Sequence, residues 1–185
     1  HLISESMRAR GAILINKEGK RFTNELLTRD VVSQNVLKQT DGVAYLIYDQ
    51  SIFDSNKLSR GYFEQGYAVK AADVKDLAAK INVPPETLEA TMKAYREAFR
   101  LGKDAAFGRP EMLIALDKAP YYAALVTPGI HHTMGGVTIN TSAEVQSTAG
   151  KSIPGLFAAG EVTGGVHGGN RIGGNAVCDF VVFGR

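Results

Sequence analysis

GEVTGGVHGGNRIGGN, residues 160–175, is the stretch on which the reading of this chain turns. It follows Ile153-Pro154-Gly155-Leu156-Phe157-Ala158-Ala159, an apolar run that reads as a strand opening into glycine. Residues without a Cβ let backbone N–H groups approach a flat or anionic ligand and permit positive φ. Arg171, inside the run, supplies the planar fork of donors that suits a carboxylate. Upstream, Leu125-Val126 leads towards His131-His132-Thr133-Met134-Gly135-Gly136, a second motif that ends in glycine. A bulky cation kept within so permissive a backbone more often meets an anion than solvent. The two runs together describe a ligand site.

Composition narrows the class without choosing a function. The 185 residues are 44% hydrophobic and 22% charged, enough to bury a core. A formal charge of +2 is too small to suggest nucleic acid. The single cysteine, Cys178, excludes an intramolecular disulfide and a CxxC metal site, and reads as a small core residue. The paired histidines lack a third ligand at a recognised metal spacing, so no metal site is assigned. No apolar run of about 18 residues is present to span a bilayer, and no signal peptide is recognised.

Along the chain, Glu5 and Arg8 are spaced i, i+3 and share a face if residues 2–10 contain a helical turn. Residues 11–16 read as a short buried strand, 16–20 as a polar turn, and Val31–Leu37 as an amphipathic helix capped near Thr28 or Asp30. VAYLIY, residues 43–48, is β-rich, and 49–60 reads as loop or short helix. Residues 73–81 form a helix ended by Asn82. Pro84-Pro85-Glu86 starts another, with Leu88, Met92, Tyr95 and Phe99 on one face. Residues 120–126 read as a strand, Pro128-Gly129 as a crossover, 137–145 as a hairpin turning at Asn140-Thr141-Ser142, and 175–183 as a helix pointing its N–H groups back at the glycine run.

HHTMGGV, IPGLFAAGEVTGGVHGGNRIGGNA and the early RARGAILINKEGKRFTNELLTRD together resemble the flavoprotein subunit of the fumarate reductase/succinate dehydrogenase family, above all its soluble flavocytochrome c type fumarate reductases. The resemblance runs over essentially the whole chain. It implies an α+β fold: most of a capping (clamp) domain over residues 1–128, and the C-terminal segment of a Rossmann-like FAD-binding domain over 129–185. A GxGxxG with a preceding strand and an acid about 20 positions on is missing, although the family needs it for the ADP half of FAD. With a start at His1 and an end just after an apolar run, the chain reads as a piece of a larger enzyme.

The resemblance also implies roles. Arg29, in LLTRD, matches the family's catalytic acid, with Glu5 and Arg8 as the relay that returns its proton. His131 and Arg171 match residues binding one substrate carboxylate, joined by the Gly174 backbone. Ser4 stands where fumarate reductases usually carry threonine and keeps a hydroxyl for the other carboxylate. For the non-covalent FAD, Glu161 matches the acid on the ribityl or ribose hydroxyls and His132 the histidine beside the ring. Ala176 and Val177 match backbone donors to the pyrimidine edge at a helix N-terminus. One substrate-binding histidine is expected upstream of Leu2. Arg29 on the first module and Arg171 on the second would meet when the lid closes.

Taken without the motif, Arg29 is a solvated helix end and Glu5 with Arg8 an exposed ion pair worth a few tenths of a kcal/mol. The function implied is reduction of fumarate to succinate in bacterial anaerobic electron transport, with a haem, FMN or iron–sulfur donor outside this chain and an exported location, periplasmic or cell-surface, favoured over a cytoplasmic one. Urocanate, acrylate or methacrylate are alternative substrates, and an inactive lid or binding fragment is a third reading. His167 is a further candidate ligand contact.

Overall fold

The computed structural model describes residues 1–184. Two compact units divide the chain, His1–Pro128 and a second beginning at Gly129.

The first unit opens with a single helical turn, α1 (Ser6–Ala9), and strand β1 (Ile13–Ile15), whose three residues are all buried. A tight turn follows, in which Asn16 accepts from the Gly19 and Lys20 N–H groups and donates to the Lys20 carbonyl. Helix α2 (Arg29–Leu37) begins after Thr28 and buries Val32 and Val36. Leu37, the last residue of α2, is exposed, because it falls about 100° beyond Val36 on the helix. Strand β2 (Ala44–Asp49) is rich in aromatic and branched residues and lies inside the sheet.

Residues 49–60, read as loop or short helix, fold into two helices, α3 (Gln50–Ser55) and α4 (Lys57–Glu64). Asp49 and Asn56 cap them by accepting from the Ile52 and Leu58 N–H groups. Strand β3 (Ala68–Ala71) leads to α5 (Val74–Ile81), capped by Asp73 and closed by Asn82 in the left-handed region. Helix α6 (Pro85–Leu101) has proline in its first turn and Gly102 at its end. It buries Leu88, Met92 and Tyr95.

Strand β4 (Tyr121–Val126) completes an antiparallel sheet of order β1-β2-β4-β3. Tyr48 on β2 stacks on Tyr122 of β4 at 5.1 Å, and Phe53 stacks on Tyr122 at 4.5 Å. Helices cover an antiparallel sheet, so the fold is α+β.

The second unit is small. Strands β5 (Glu144–Gln146) and β6 (Ser152–Phe157) pair antiparallel, and α7 (Asn175–Phe183) follows the glycine run. The expected hairpin at 137–145 forms: Ile139 bridges Val145, Asn140 N–H donates to the Glu144 carbonyl and Gln146 N–H to the Thr138 carbonyl, and the turn at Asn140 closes through the Ala143 N–H, while β5 pairs with β6 along its other edge. All six residues of β6 are exposed, as are Phe180, Val181 and Val182 of α7. Cys178 is exposed too, correcting its reading as a core residue: α7 turns Asp179 inward instead.

Candidate functional site

In the first unit the three residues expected to handle a proton come together. Arg29 is the first residue of α2, and its Nε lies 3.1 Å from Glu5 Oε1, at the start of α1. Arg8 stands one turn further along α1 and donates from Nη1 to the Glu25 carbonyl at 2.8 Å. Burial lowers the Arg8 pKa; the Glu5 and Glu25 carboxylates oppose this, while the Arg29 and Arg109 charges add to it, and the net direction is down. A guanidinium with weakened hold on its proton suits a relay better than one in water. Ser4 is anchored by its N–H to the Tyr62 hydroxyl at 3.0 Å, and its Oγ accepts from Ser6 N–H at 3.2 Å. The Ser4 hydroxyl proton is not used in that bond.

Behind this turn lies a charge cluster that the sequence reading left without a role. Arg21 grips Glu25 through Nε and Nη2 at 2.9 and 2.8 Å, and Asp104 through Nη2 at 2.9 Å. Arg109 donates to Glu25 Oε2 at 3.0 Å, to the Ala12 carbonyl at 3.1 Å and to the Arg8 carbonyl at 2.7 Å. Glu25 Oε1 also accepts from Leu14 N–H. Arg21 lies over the Tyr95 and Phe107 rings, at 5.1 and 4.7 Å. Removing one partner from such a buried pair costs about 3–5 kcal/mol. The i, i+4 spacing of Arg21 and Glu25 was the only sequence signal of it; Asp104 and Arg109 come from more than 80 positions away.

In the second unit, Glu161 sits on a 3₁₀ turn, Gly160–Val162, and accepts from Thr133 N–H at 3.0 Å. Thr133 Oγ1 lies 3.0 Å from both the Glu161 and the Gly135 carbonyl oxygens, which share its single proton. His132 Nδ1 lies 3.6 Å from Glu161 Oε2, beyond hydrogen-bond reach but close enough for attraction when the ring is protonated. Val137 N–H donates to Val162 and Gly164 N–H donates back to Val137, so the histidine motif and the glycine run lie side by side. The approach requires glycine: a Cβ on Gly136 would overlap the Val162 carbonyl, and one on Gly164 would meet the Gly136 nitrogen at 2.9 Å.

Gly174 precedes α7 with φ of +85°, and Val177 N–H donates to its carbonyl at 3.0 Å. Arg171 is buried and donates from Nη1 to the Ile172 carbonyl at 3.2 Å. His131 is exposed and Ala176 half-buried. Asp179, which the sequence reading passed over, is fully buried, accepts from Gly160 N–H at 3.1 Å and meets His167 Nε2 at 3.0 Å. His167 therefore packs against α7. The signal was a lone acid in an apolar helical run. Among the described residues no cluster of three or more metal-ligating side chains occurs, and no helix is long and apolar enough to cross a membrane.

The FAD binding domain family matches residues 1–177, and the chain belongs to that family. Within it, the chain is similar to fumarate reductases. A probable fumarate reductase of Shewanella frigidimarina is 50% identical across the whole chain, which covers 31% of that protein. The open conformation of a flavocytochrome c3 fumarate reductase superposes with a TM-score of 0.80 at 49% identity, covering 99% of this chain and 32% of that one. The NADH:acrylate oxidoreductase of Vibrio harveyi is 39% identical over 94% of this chain and 18% of its own length. The chain thus spans about a third or less of the length of these relatives.

Proposed function

We propose that the whole protein reduces fumarate to succinate, and that this chain carries the proton donor and one carboxylate clamp. The observation that carries this reading is the Arg29–Glu5 contact of 3.1 Å, with Arg8 half-buried one turn beyond. Saturating the double bond takes a hydride at one carbon and a proton at the other. When bound, FAD supplies the hydride from N5. Arg29 gives its guanidinium proton to the neighbouring carbon, Glu5 returns a proton to Arg29, and Arg8 resupplies Glu5. An arginine acts as an acid only if that return is quick, since its ordinary pKa is above 12.

Arg171 and His131 hold one carboxylate, with the Gly174 backbone. Ser4 Oγ–H donates to the other. Gripping both carboxylates polarises an otherwise inert alkene, and these contacts count for rate only where they strengthen in the transition state. The FAD fits the second unit by its donor set. Glu161, held in place by Thr133, would take the hydroxyls and His132 would stand beside the ring; at the α7 N-terminus the Ala176 N–H would meet developing negative charge, whereas the Val177 N–H, expected as a second donor, is turned to the Gly174 carbonyl. The glycine contact between Gly136 and Gly164 supports this, because it brings two backbone segments together without side chains.

Residues 1–128 act in this proposal as the capping domain and 129–185 as part of the FAD domain. The rest of that domain covers the open face of β6 and α7, and electrons arrive from a haem, FMN or iron–sulfur donor in an exported bacterial protein. A second reading, reduction of acrylate, methacrylate or urocanate, is favoured by the likeness to an acrylate oxidoreductase. The Ser4 hydroxyl favours a dicarboxylate. Oxidation of reduced methyl viologen by the full-length protein, with each enoate offered separately at equal concentration, decides: turnover of fumarate alone supports the proposal, and turnover of another enoate in its place overturns the substrate assignment.

A further inference from the structure

We propose that Arg109 is a positioning residue for proton delivery, fixing the helical turn that presents Glu5 and Arg8 to Arg29. The inference rests on the relay reading above and deepens it. The turn cannot hold itself. Helix α1 is four residues long, and a single turn is unfavourable in isolation because several residues must be ordered for one hydrogen bond. Its end is instead gripped from outside. Arg109 Nη2 donates to the Arg8 carbonyl at 2.7 Å and Nη1 to the Ala12 carbonyl at 3.1 Å, so one guanidinium spans the end of α1 and the start of β1.

The same residue anchors the other end of Arg8. Arg109 Nη1 pairs with Glu25 Oε2 at 3.0 Å, and the Glu25 carbonyl accepts from Arg8 Nη1 at 2.8 Å. Backbone and side chain of Arg8 are therefore both tied to the Arg109–Glu25 pair. That pair is fully buried and is itself fixed by Arg21 and Asp104. The Arg109 charge also helps to lower the Arg8 pKa, in the direction that eases transfer of a proton. Lysine cannot replace this arrangement, because a single ammonium lacks the fork that reaches two carbonyls and a carboxylate together.

The test uses the full-length flavoprotein, with kcat per bound FAD, KM for fumarate and the solvent deuterium isotope effect on kcat. For Arg109→Lys the expected result is full FAD, KM within about 2-fold and kcat lower by roughly 10-fold or more, since general acid catalysis contributes about 10²–10⁴-fold and a 1 Å misplacement can cost about 10²-fold. The isotope effect should rise as proton delivery limits the rate. A purely structural role would leave both unchanged per bound FAD. In Arg8→Lys combined with Arg109→Lys, the rate should fall no further than in Arg8→Lys alone.

If Arg109→Lys fails to fold, Arg109→Met with Glu25→Gln keeps the buried charge balanced. The glutamine still accepts from Leu14, Arg21 keeps Asp104, and the same kinetic pattern is expected. Unchanged kcat per FAD in a folded variant, or losses that multiply with those of Arg8→Lys, overturns the positioning role. An unaffected Arg8→Lys enzyme overturns the relay itself and the positioning role with it, so the two failures are told apart.

Discussion

Arg29 Nε lies 3.1 Å from Glu5 Oε1, joining the first residue of α2 to the start of α1. Both side chains keep about a third of their surface in water, at 31% and 38%. A pair this open adds little to stability. An accessible guanidinium is what the proposed proton transfer needs.

Replacing Arg29 with alanine in the full-length protein should therefore abolish fumarate turnover, by at least the roughly 10²–10⁴-fold attached to a general acid. Fumarate binding should largely survive. Steady-state rates with reduced methyl viologen and a fumarate titration of the flavin absorbance check both halves. An active variant would remove Arg29 from the acid role.

Arg171→Met should behave differently. Hydrogen bonds to a charged partner contribute about 1.5–3 kcal/mol, so KM should rise about 10- to 100-fold and kcat should fall as well. Unchanged affinity would show that Arg171 does not hold the carboxylate.

Asp179 is predicted to matter for assembly of the flavin region. Its carboxylate serves Gly160 N–H and His167 together. Asp179→Ala strands both and should cost about 1–3 kcal/mol, seen as a lower melting temperature and less FAD per protein. Asp179→Asn, which keeps an acceptor, should lose less. Equal behaviour of the two would count against the bond.

Gly136→Ala should purify with little FAD, because the new methyl group would push the Val162 carbonyl aside and open the contact between the histidine motif and the glycine run. Gly129→Ala is the control, having open space around its Cβ position. Flavin absorbance per protein distinguishes them.

Stability should fall in acid partly through Asp104. Burial raises its pKa, but the Arg21 hydrogen bond and charge, with the Phe107 and Arg109 N–H groups, more than offset this and hold it below the ordinary value. A depressed folded pKa gives stability that is fully present above the unfolded value, about 3.9, and lost as pH falls through the folded one. Melting temperature measured from pH 6 to pH 3 should drop below about pH 4. Asp104→Asn should start lower at neutral pH and show a shallower acid slope; an identical slope would assign the acid loss to other carboxylates.

Much of the fold was legible because its signals are local. Proline and acid at the start of α6, glycine at its end, and Asp73 and Asn82 around α5 act within a few residues of where they stand. The helices over residues 50–64 were less legible. Their caps, Asp49 and Asn56, sit in a polar stretch where the apolar period is weak. Pairing was legible only where it is local: the turn at Asn140 brings Ile139 to Val145, whereas the pairing of β5 with β6 and the order β1-β2-β4-β3 rest on cross-strand contacts between distant segments.

The sequence by itself determined most element types, the family motifs and the candidate site residues, because caps, glycine conformations and motif spacing are properties of short stretches. Tertiary structure alone decided that Arg29 meets Glu5, that Arg109 reaches back 101 positions to the Arg8 carbonyl, and that Asp179 turns inward to Gly160. Those contacts depend on which surfaces bury one another. Burying a charge then forces it to find a partner wherever the chain brings one.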